Sequence, residues 1–229
     1  MYYTNTKACL LGVIMKHWIK HSTFLFLVLF SVTTRPEIVT LQTPLLTDSP
    51  RHHLYFHELL NMAIENIGHT PKLIVTKLPQ LRAKSQLESG QISIYWMLET
   101  DERNQKFIPI NVGITNSLIG KRILFIRRGE QEFYNEVKTL KDFRDLNLVG
   151  GMGKDWFDTK VWKTNSLNYL EHSGNWKAIF RMIAKGRNYD YFSRGLNEII
   201  EEAIQYPELA IEKNLVLIYD RDFKYYLSK

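Results

Sequence analysis

Apolar positions along this chain switch between two spacings, and the switches mark out strands and helices in turn. Residues 38–41 (IVTL) predict a first strand. Phe56, Leu59, Leu60, Ala63, Ile64 and Ile67 then recur with the spacing of an amphipathic helix, and Gly68 stops it. Residues 73–76 predict a second strand and 79–88 a short helix. Pro79 opens that helix, since the N–H it lacks is unpaired in any first turn, and Ser89-Gly90 ends it. Ile92, Ile94 and Trp96 alternate as a third strand. Strand, helix, strand, helix and strand within about sixty residues predict a parallel α/β sheet.

Residues 120–129 (GKRILFIRRG) make an apolar strand with charged ends that leads out of this unit, and the logic then repeats. Thr139 is placed to cap a helical turn over 140–143. Leu146, Leu148 and Val149 suit a short buried strand, broken by Gly150, Gly151 and Gly153, with a helix over 154–163. Such an arrangement would leave backbone N–H groups and a helix dipole at one sheet edge, fit for an anionic or strongly polar ligand. Trp156 and Phe157 would then wall it; a plain turn is the simpler alternative. The spacing is neither G-x-G-x-x-G nor a run ending in G-K-[ST], so no nucleotide fingerprint is present. Residues 167–170 predict a weak strand. Trp176, Ile179, Phe180, Ile183 and Ala184 predict a helix stopped by Gly186, and 189–192 a strand. Leu196, Ile199, Ile200, Ala203 and Ile204 predict the last helix, and 216–219 and 224–227 close the chain as strands. The pattern is that of two small α/β lobes joined by 120–129.

Length and composition fit this, since 229 residues with 45% hydrophobics can bury a sizeable core. The formal charge of +6 is concentrated at one end: residues 1–35 hold Lys7, Lys16, Lys20 and Arg35 and no acid. Without them 26 basic side chains (30 − 4) face 24 acidic ones, so a nucleic-acid partner loses its support. The same leader has the layout of a secretory signal over 1–34. Lys16, His17, Lys20 and His21 form a positive region, and 24–30 (FLFLVLF) an apolar core too short to span a bilayer, which takes ~20 residues. Met15 is an alternative start. Residues 31–34 are small but contain no A-x-A, so an uncleaved anchor is the alternative to cleavage. Cys9, the single cysteine, precedes the apolar core without a lipobox, and the mature chain would have no disulfide, cysteine-ligated metal or thiol nucleophile. The expected location is the periplasm.

Catalysis would want a nucleophile–base or carboxylate pair at workable spacing. Glu198, Glu201 and Glu202 stand together on the last helix, where a solvated acidic face accounts for them. His53 and His57 share a helical face, but no H-E-x-x-H motif is formed, and His52 and His53 read as surface or capping residues. His69 and His172 are isolated in turns. The reading is therefore no enzyme, no cofactor and no metal.

Four segments, LPQLRAKSQLESGQISIYW (78–96), TDERNQKF (100–107), GKRILFIRRG (120–129) and KAIFRMIAKGRNYDYFSRGLNE (177–198), together resemble the bacterial extracellular solute-binding proteins of the family 3 type. These are periplasmic amino-acid-binding-like proteins of type II fold, and the likeness is greatest to a divergent branch with the pattern L-x-x-G-R-x-D-Y-F-P-R-G. It runs from about Arg51 to Lys229. The resemblance implies a two-lobed α/β fold with mainly parallel sheets, closing at a hinge on a small ligand. It implies a first lobe over 36–121, a first crossing strand over 122–128, a second lobe over 129–221, and the start of a second crossing strand over 222–229, beyond which family members continue with one or two helices.

By the same resemblance, Arg103 matches the arginine that clamps a ligand carboxylate; otherwise it would pair with Asp101 or Glu99 on a solvated turn. Thr100 precedes it. Gly151, Lys154 and Trp156 match the second-lobe contact, and Trp96 either faces the cleft or lies in the core. Where the family carries an aspartate for a ligand ammonium, this chain has Arg194, which either turns inward toward an anion or pairs with Glu198 one helical turn on. The implied function is capture of a small carboxylate-bearing solute without a free amine near Arg194. The implied partners are that small molecule and an ABC-transporter permease or a membrane sensor, and the chain would be a monomer. A ligand-sensing domain acting on a partner protein, or a secreted hydrolase, is the alternative.

Overall fold

The computed structural model describes residues 35–47 and 50–229. The leader, Met15 and Cys9 lie outside the described residues. The first lobe begins with β1 (Ile38–Leu46) and helix α1 (Pro50–Asn66). Next come β2 (Thr70–Leu78) and α2 (Gln80–Glu88), capped by Pro79, then β3 (Ile94–Leu98). β1 and β2 pair in parallel from Ile38↔Thr70 to Leu46↔Leu78. β3 lies alongside β1, tied by the Ser93 N–H to the Gln42 carbonyl at 2.9 Å. Every residue of β3 is buried, so it is the centre of this lobe, and Phe56, Leu60 and Ile64 of α1 pack with it. Ala63 and Ile67, in the predicted stripe, are exposed.

Two short elements follow: α3 (Asp101–Lys106) and β4 (Ile108–Pro109). The chain then leaves the first sheet over residues 110–120. Strand β5 (Lys121–Arg127), which covers the expected first crossing strand, is paired within the second sheet. Along that length it pairs antiparallel with β8 (Tyr191–Gly195), β9 (Leu209–Ile211) and β10 (Leu217–Ile218). At the other end β11 (Phe223–Leu227) is more than the start of a crossing. It runs back into the first sheet, antiparallel to both β3 and β4.

The second sheet has the order β10-β5-β8, then β6 (Gly150–Gly153) and β7 (Tyr169–His172), with β9 also on β5. Its two faces carry separate cores, because successive side chains point to opposite sides. Leu124, Ile126 and Tyr191 join one core with Met152 and Trp162, while Phe125 and Phe192 join the other with Ile179, Phe180 and Ile199. The covering helices are α4 (Leu140–Asp145), α5 (Asp158–Thr164), α6 (Ala178–Ala184) and α7 (Leu196–Gln205). Thr139 caps α4 in a reciprocal box with Asp142. On α7, Ile199 is buried but Ile200 and Ile204 are exposed, and Glu202 takes the inward place.

The glycine run differs most from expectation. Leu146–Val149 is not a strand; the glycines themselves are, as β6 (Gly150–Gly153), parallel to β7 (Tyr169–His172) and to β8. The cause is steric. A Cβ on Gly150 would lie 2.8 Å from the Tyr191 ring and one on Gly151 2.6 Å from Ile179 Cγ2, so both faces of the strand are already filled by large side chains. The helix starts only at Asp158, after a turn with Asp155 at φ 61°.

Candidate functional site

A cavity of about 690 Å³ lies between the two sheets, lined from both sides. Its first-lobe side carries Tyr55, Phe56, Trp96, Arg103 and, from β11, Phe223; its second-lobe side carries Lys154, Trp156, Phe157, Trp176 and Arg194.

Arg103 owes its place to α3. Thr100 caps that helix by accepting the Arg103 N–H at 3.2 Å, and Asp101 and Glu102 favour the first turn through the helix dipole. The Arg103 guanidinium donates from Nη1 to the Leu98 carbonyl. Among the ion pairs of the described residues Arg103 pairs with neither Asp101 nor Glu99, and Glu99 is taken by Lys224 at 2.6 Å. Burial lowers the Arg103 pKa from its ordinary value, and the nearby Tyr95, Tyr226 and Glu102 only partly offset this. Thr100 is thus a capping residue and does not line the cavity. Neither does Gly151, whose place in β6 faces Ile179 and Tyr189.

Trp96 satisfies both of its expected positions. It is buried, stacked on Phe56 at 4.8 Å, and also reaches the cavity. His53, expected at the surface or as a cap, and His57 are both buried against it, with ring centroids 5.3 and 5.2 Å away. His57 Nε2 lies 3.0 Å from the Pro44 carbonyl, and burial lowers its pKa. Among the described residues no cluster of His, Cys, Asp or Glu could hold a metal.

Backbone N–H groups around the glycine turn are partly taken up within the fold. The Lys154 N–H bonds the His172 carbonyl and the Trp156 N–H the Gly153 carbonyl, and α5 has only seven residues. The turn also places Trp156. Its ring sits where a Gly153 Cβ would be, 2.4 Å from that position, so the glycine admits the tryptophan to the cavity wall.

Arg194 takes the second of its expected positions, pairing with Glu198, and adds Glu202 to it. It lines the cavity, yet its charge is already committed. Nε donates to Glu202 Oε2 at 2.8 Å and Nη2 to Oε1 at 2.7 Å, while Nη2 also lies 3.0 Å from Glu198 Oε1. Its guanidinium carbon is 5.1 Å from the Trp156 ring and 4.6 Å from that of Trp176. Burial alone would lower its pKa, but Glu198 and Glu202 outweigh that and raise it. The acidic triplet on α7 is therefore not simply a solvated face.

Beside it lies a residue that sequence reasoning placed at a charged strand end. Arg122 is fully buried, donates to Ser193 Oγ and to the Ser193 carbonyl at 3.0 and 2.8 Å, and pairs with Asp158 at 3.0 Å and Glu198 at 3.8 Å. Tyr219 donates its hydroxyl to the same Asp158 oxygen at 3.4 Å. Two arginines against Asp158, Glu198 and Glu202 sum to −1 (2 − 3). The second-lobe side thus has a slight excess of buried negative charge, whereas Arg103 and Lys84 bring positive charge to the first-lobe side. Arg194, Glu198 and Glu202 do follow one another at steps of four, the spacing of one helical face, which is the sequence signal for this network. Arg122 and Asp158 carry no such signal.

The sequence matches no family model and no curated protein. Solved structures do share its shape. The probable amino-acid ABC transporter extracellular-binding protein of Bacillus subtilis superposes with a TM-score of 0.63 at 10% identity, over 84% of this chain and 85% of that one. An ancestral arginine-binding protein bound to arginine gives 0.58 at 14%, over 83% and 84%. The tungstate ABC transporter structure from Geobacter sulfurreducens gives 0.58 at 14%, over 83% and 85%. This chain has the two-lobed α/β fold of the solute-binding proteins of ABC importers.

Proposed function

We propose that this protein is a periplasmic solute-binding protein. It captures a small carboxylate-bearing ligand between two lobes that close on it, and passes it to an ABC-transporter permease without chemical change. The observation that carries the reading is Arg103. It is a half-buried guanidinium at the cavity wall, bonded to a backbone carbonyl and to no carboxylate among the ion pairs of the described residues. A carboxylate from a ligand would meet it with two parallel hydrogen bonds and restore the charge balance that burial disturbs.

The electrostatics amend the expected ligand in one respect. Because Arg194 is neutralised by two glutamates, it does not itself repel an ammonium on the second-lobe side, where the net −1 of the buried network favours a cation and Lys154 opposes one. A dipolar solute, with its carboxylate toward Arg103, fits this distribution better than a dicarboxylate does.

A thermal-shift screen of the full chain against amino acids, peptides, carboxylates and sugars tests the proposal, followed by calorimetry of each hit with Arg103→Ala. A ligand confined to the folded form stabilises it by about 2.7 kcal/mol at a hundredfold excess over Kd. The expected result is a carboxylate hit, recovered unchanged, whose binding Arg103→Ala removes. Tight binding of an uncharged sugar, indifferent to that substitution, or consumption of the hit, would refute it.

A further inference from the structure

The cavity is unusually rich in rings: nine of its 28 lining residues are Phe, Tyr or Trp, about a third, against 13% of the whole chain. They are grouped as two walls. On the first lobe Phe56 stacks on Trp96 and meets Phe223 edge-on at 5.6 Å. On the second lobe Trp156 lies 5.4 Å from Trp176, and Phe157 lies 6.1 Å from Tyr219. Among the described residues, the ring partners of Phe56 and Phe223 belong to the first wall, and those of Phe157 and Tyr219 to the second. Each wall is internally packed, and the space between them is the cavity itself. Both walls are also held in place, the first by the stack of Phe56 on buried Trp96 and the second by the Arg194 guanidinium against Trp156 and Trp176.

Rings held at fixed positions around a gap lose little entropy when a further ring enters. The added ring gains both burial and the edge or offset-face contacts that aromatic pairs prefer at roughly 4.5–7 Å between centroids. The volume is in the range of about 300–1,000 Å³ that suits drug-sized ligands, more than a small aliphatic acid would fill.

We infer that the solute bound here carries a planar aromatic ring, inserted between the two walls, in addition to its carboxylate. This rests on the reading of the cavity as a carboxylate-binding site, and the test separates the two. The full chain is titrated calorimetrically with indole-3-acetate and L-tryptophan as ring-bearing acids, glutarate and L-alanine as aliphatic ones, and tryptamine as a ring without a carboxylate. The ring-bearing acids should bind roughly tenfold to a hundredfold tighter than the aliphatic ones, the value of burying one ring. Phe157→Ala should collapse that ratio, and Tyr55→Ala, which truncates a half-exposed ring of the first wall, provides a second reading if Phe157→Ala disturbs folding. Equal affinity for aliphatic and ring-bearing acids, or no binding of either ring-bearing acid, overturns the inference, and the first of these leaves the carboxylate reading intact. Tryptamine binding as tightly as indole-3-acetate supports the ring and removes the carboxylate.

Discussion

Arg194 and Glu202, eight residues apart, form a two-pronged ion pair at 2.8 and 2.7 Å in which both side chains are 5% exposed. The pair connects the end of a central strand to the second turn of the helix that follows it. It also turns an arginine that could have met a ligand directly into one that braces the cavity wall, since the same guanidinium lies against Trp156 and Trp176.

Breaking this pair on one side should be costly. Arg194→Ala takes both prongs away from the buried Glu202, and urea unfolding should show a loss of ~3–5 kcal/mol, whereas Glu202→Ala should cost less because Glu198 still faces Arg194 at 3.0 Å. Arg194→Lys should not restore it, because a single ammonium cannot serve both carboxylate oxygens and the two tryptophan faces. A loss below ~1 kcal/mol for all three would mean that water replaces the pair.

The glycine strand gives a steric prediction. Gly151→Ala brings a methyl group to 2.6 Å from Ile179 Cγ2, and such overpacking should cost about 1–3 kcal/mol. Ile179→Ala alone opens a cavity, yet combined with Gly151→Ala it should be less destabilising than the sum of the two. Strict additivity in thermal or urea unfolding would contradict the close contact.

His57 predicts a pH effect. Burial lowers its folded pKa below its ordinary value of 6.5, so as pH falls below 6.5 the unfolded chain takes up a proton before the folded one does. The stability associated with neutral His57 is complete above pH 6.5 and is lost as pH falls toward and through the folded pKa. The urea midpoint should therefore drop on going from pH 7 to pH 5, and His57→Gln should flatten that part of the curve. An unchanged slope in the variant would assign the drop to other groups.

Asp222 ties together the two segments that pass between the sheets. Its carboxylate accepts the Thr115 N–H at 3.1 Å, the Ser117 N–H at 2.9 Å and the Phe223 N–H at 2.7 Å, with the Thr115 hydroxyl as a further donor. Ser117 is held at φ 56° in this arrangement. Asp222→Asn turns an amide toward some of these donors and should lower stability by roughly 1–3 kcal/mol. If the variant unfolds at the same urea concentration, the crossing segments hold each other by other means.

Export is checked at the N-terminus. Mass spectrometry of the protein taken from its native envelope should show the chain beginning between Val32 and Glu37, after the apolar run. Full-length protein in the cytosol would contradict this.

Much of the architecture was legible in the chain itself, because strand and helix periods depend on which faces are apolar. The stripe from Phe56, the cap at Thr139, the strands around Ile94 and Phe125 and the stop at Gly186 all follow from local spacing. Arg103 and Trp96 could be singled out through the resemblance of their segments, and both line the cavity. Tertiary packing decided the rest. Gly150–Gly153 is a strand because Tyr191, Ile179 and Trp156 fill the space where side chains would stand, and no pattern within the run records neighbours up to 41 residues away (191 − 150). Whether Arg194 served a ligand or its own fold depended on the bearing of α7 against β8. The spacing to Glu198 and Glu202 allowed the pairing, but only the packed helix brought both carboxylates onto one guanidinium, where a shared loss of water makes each charge require the other.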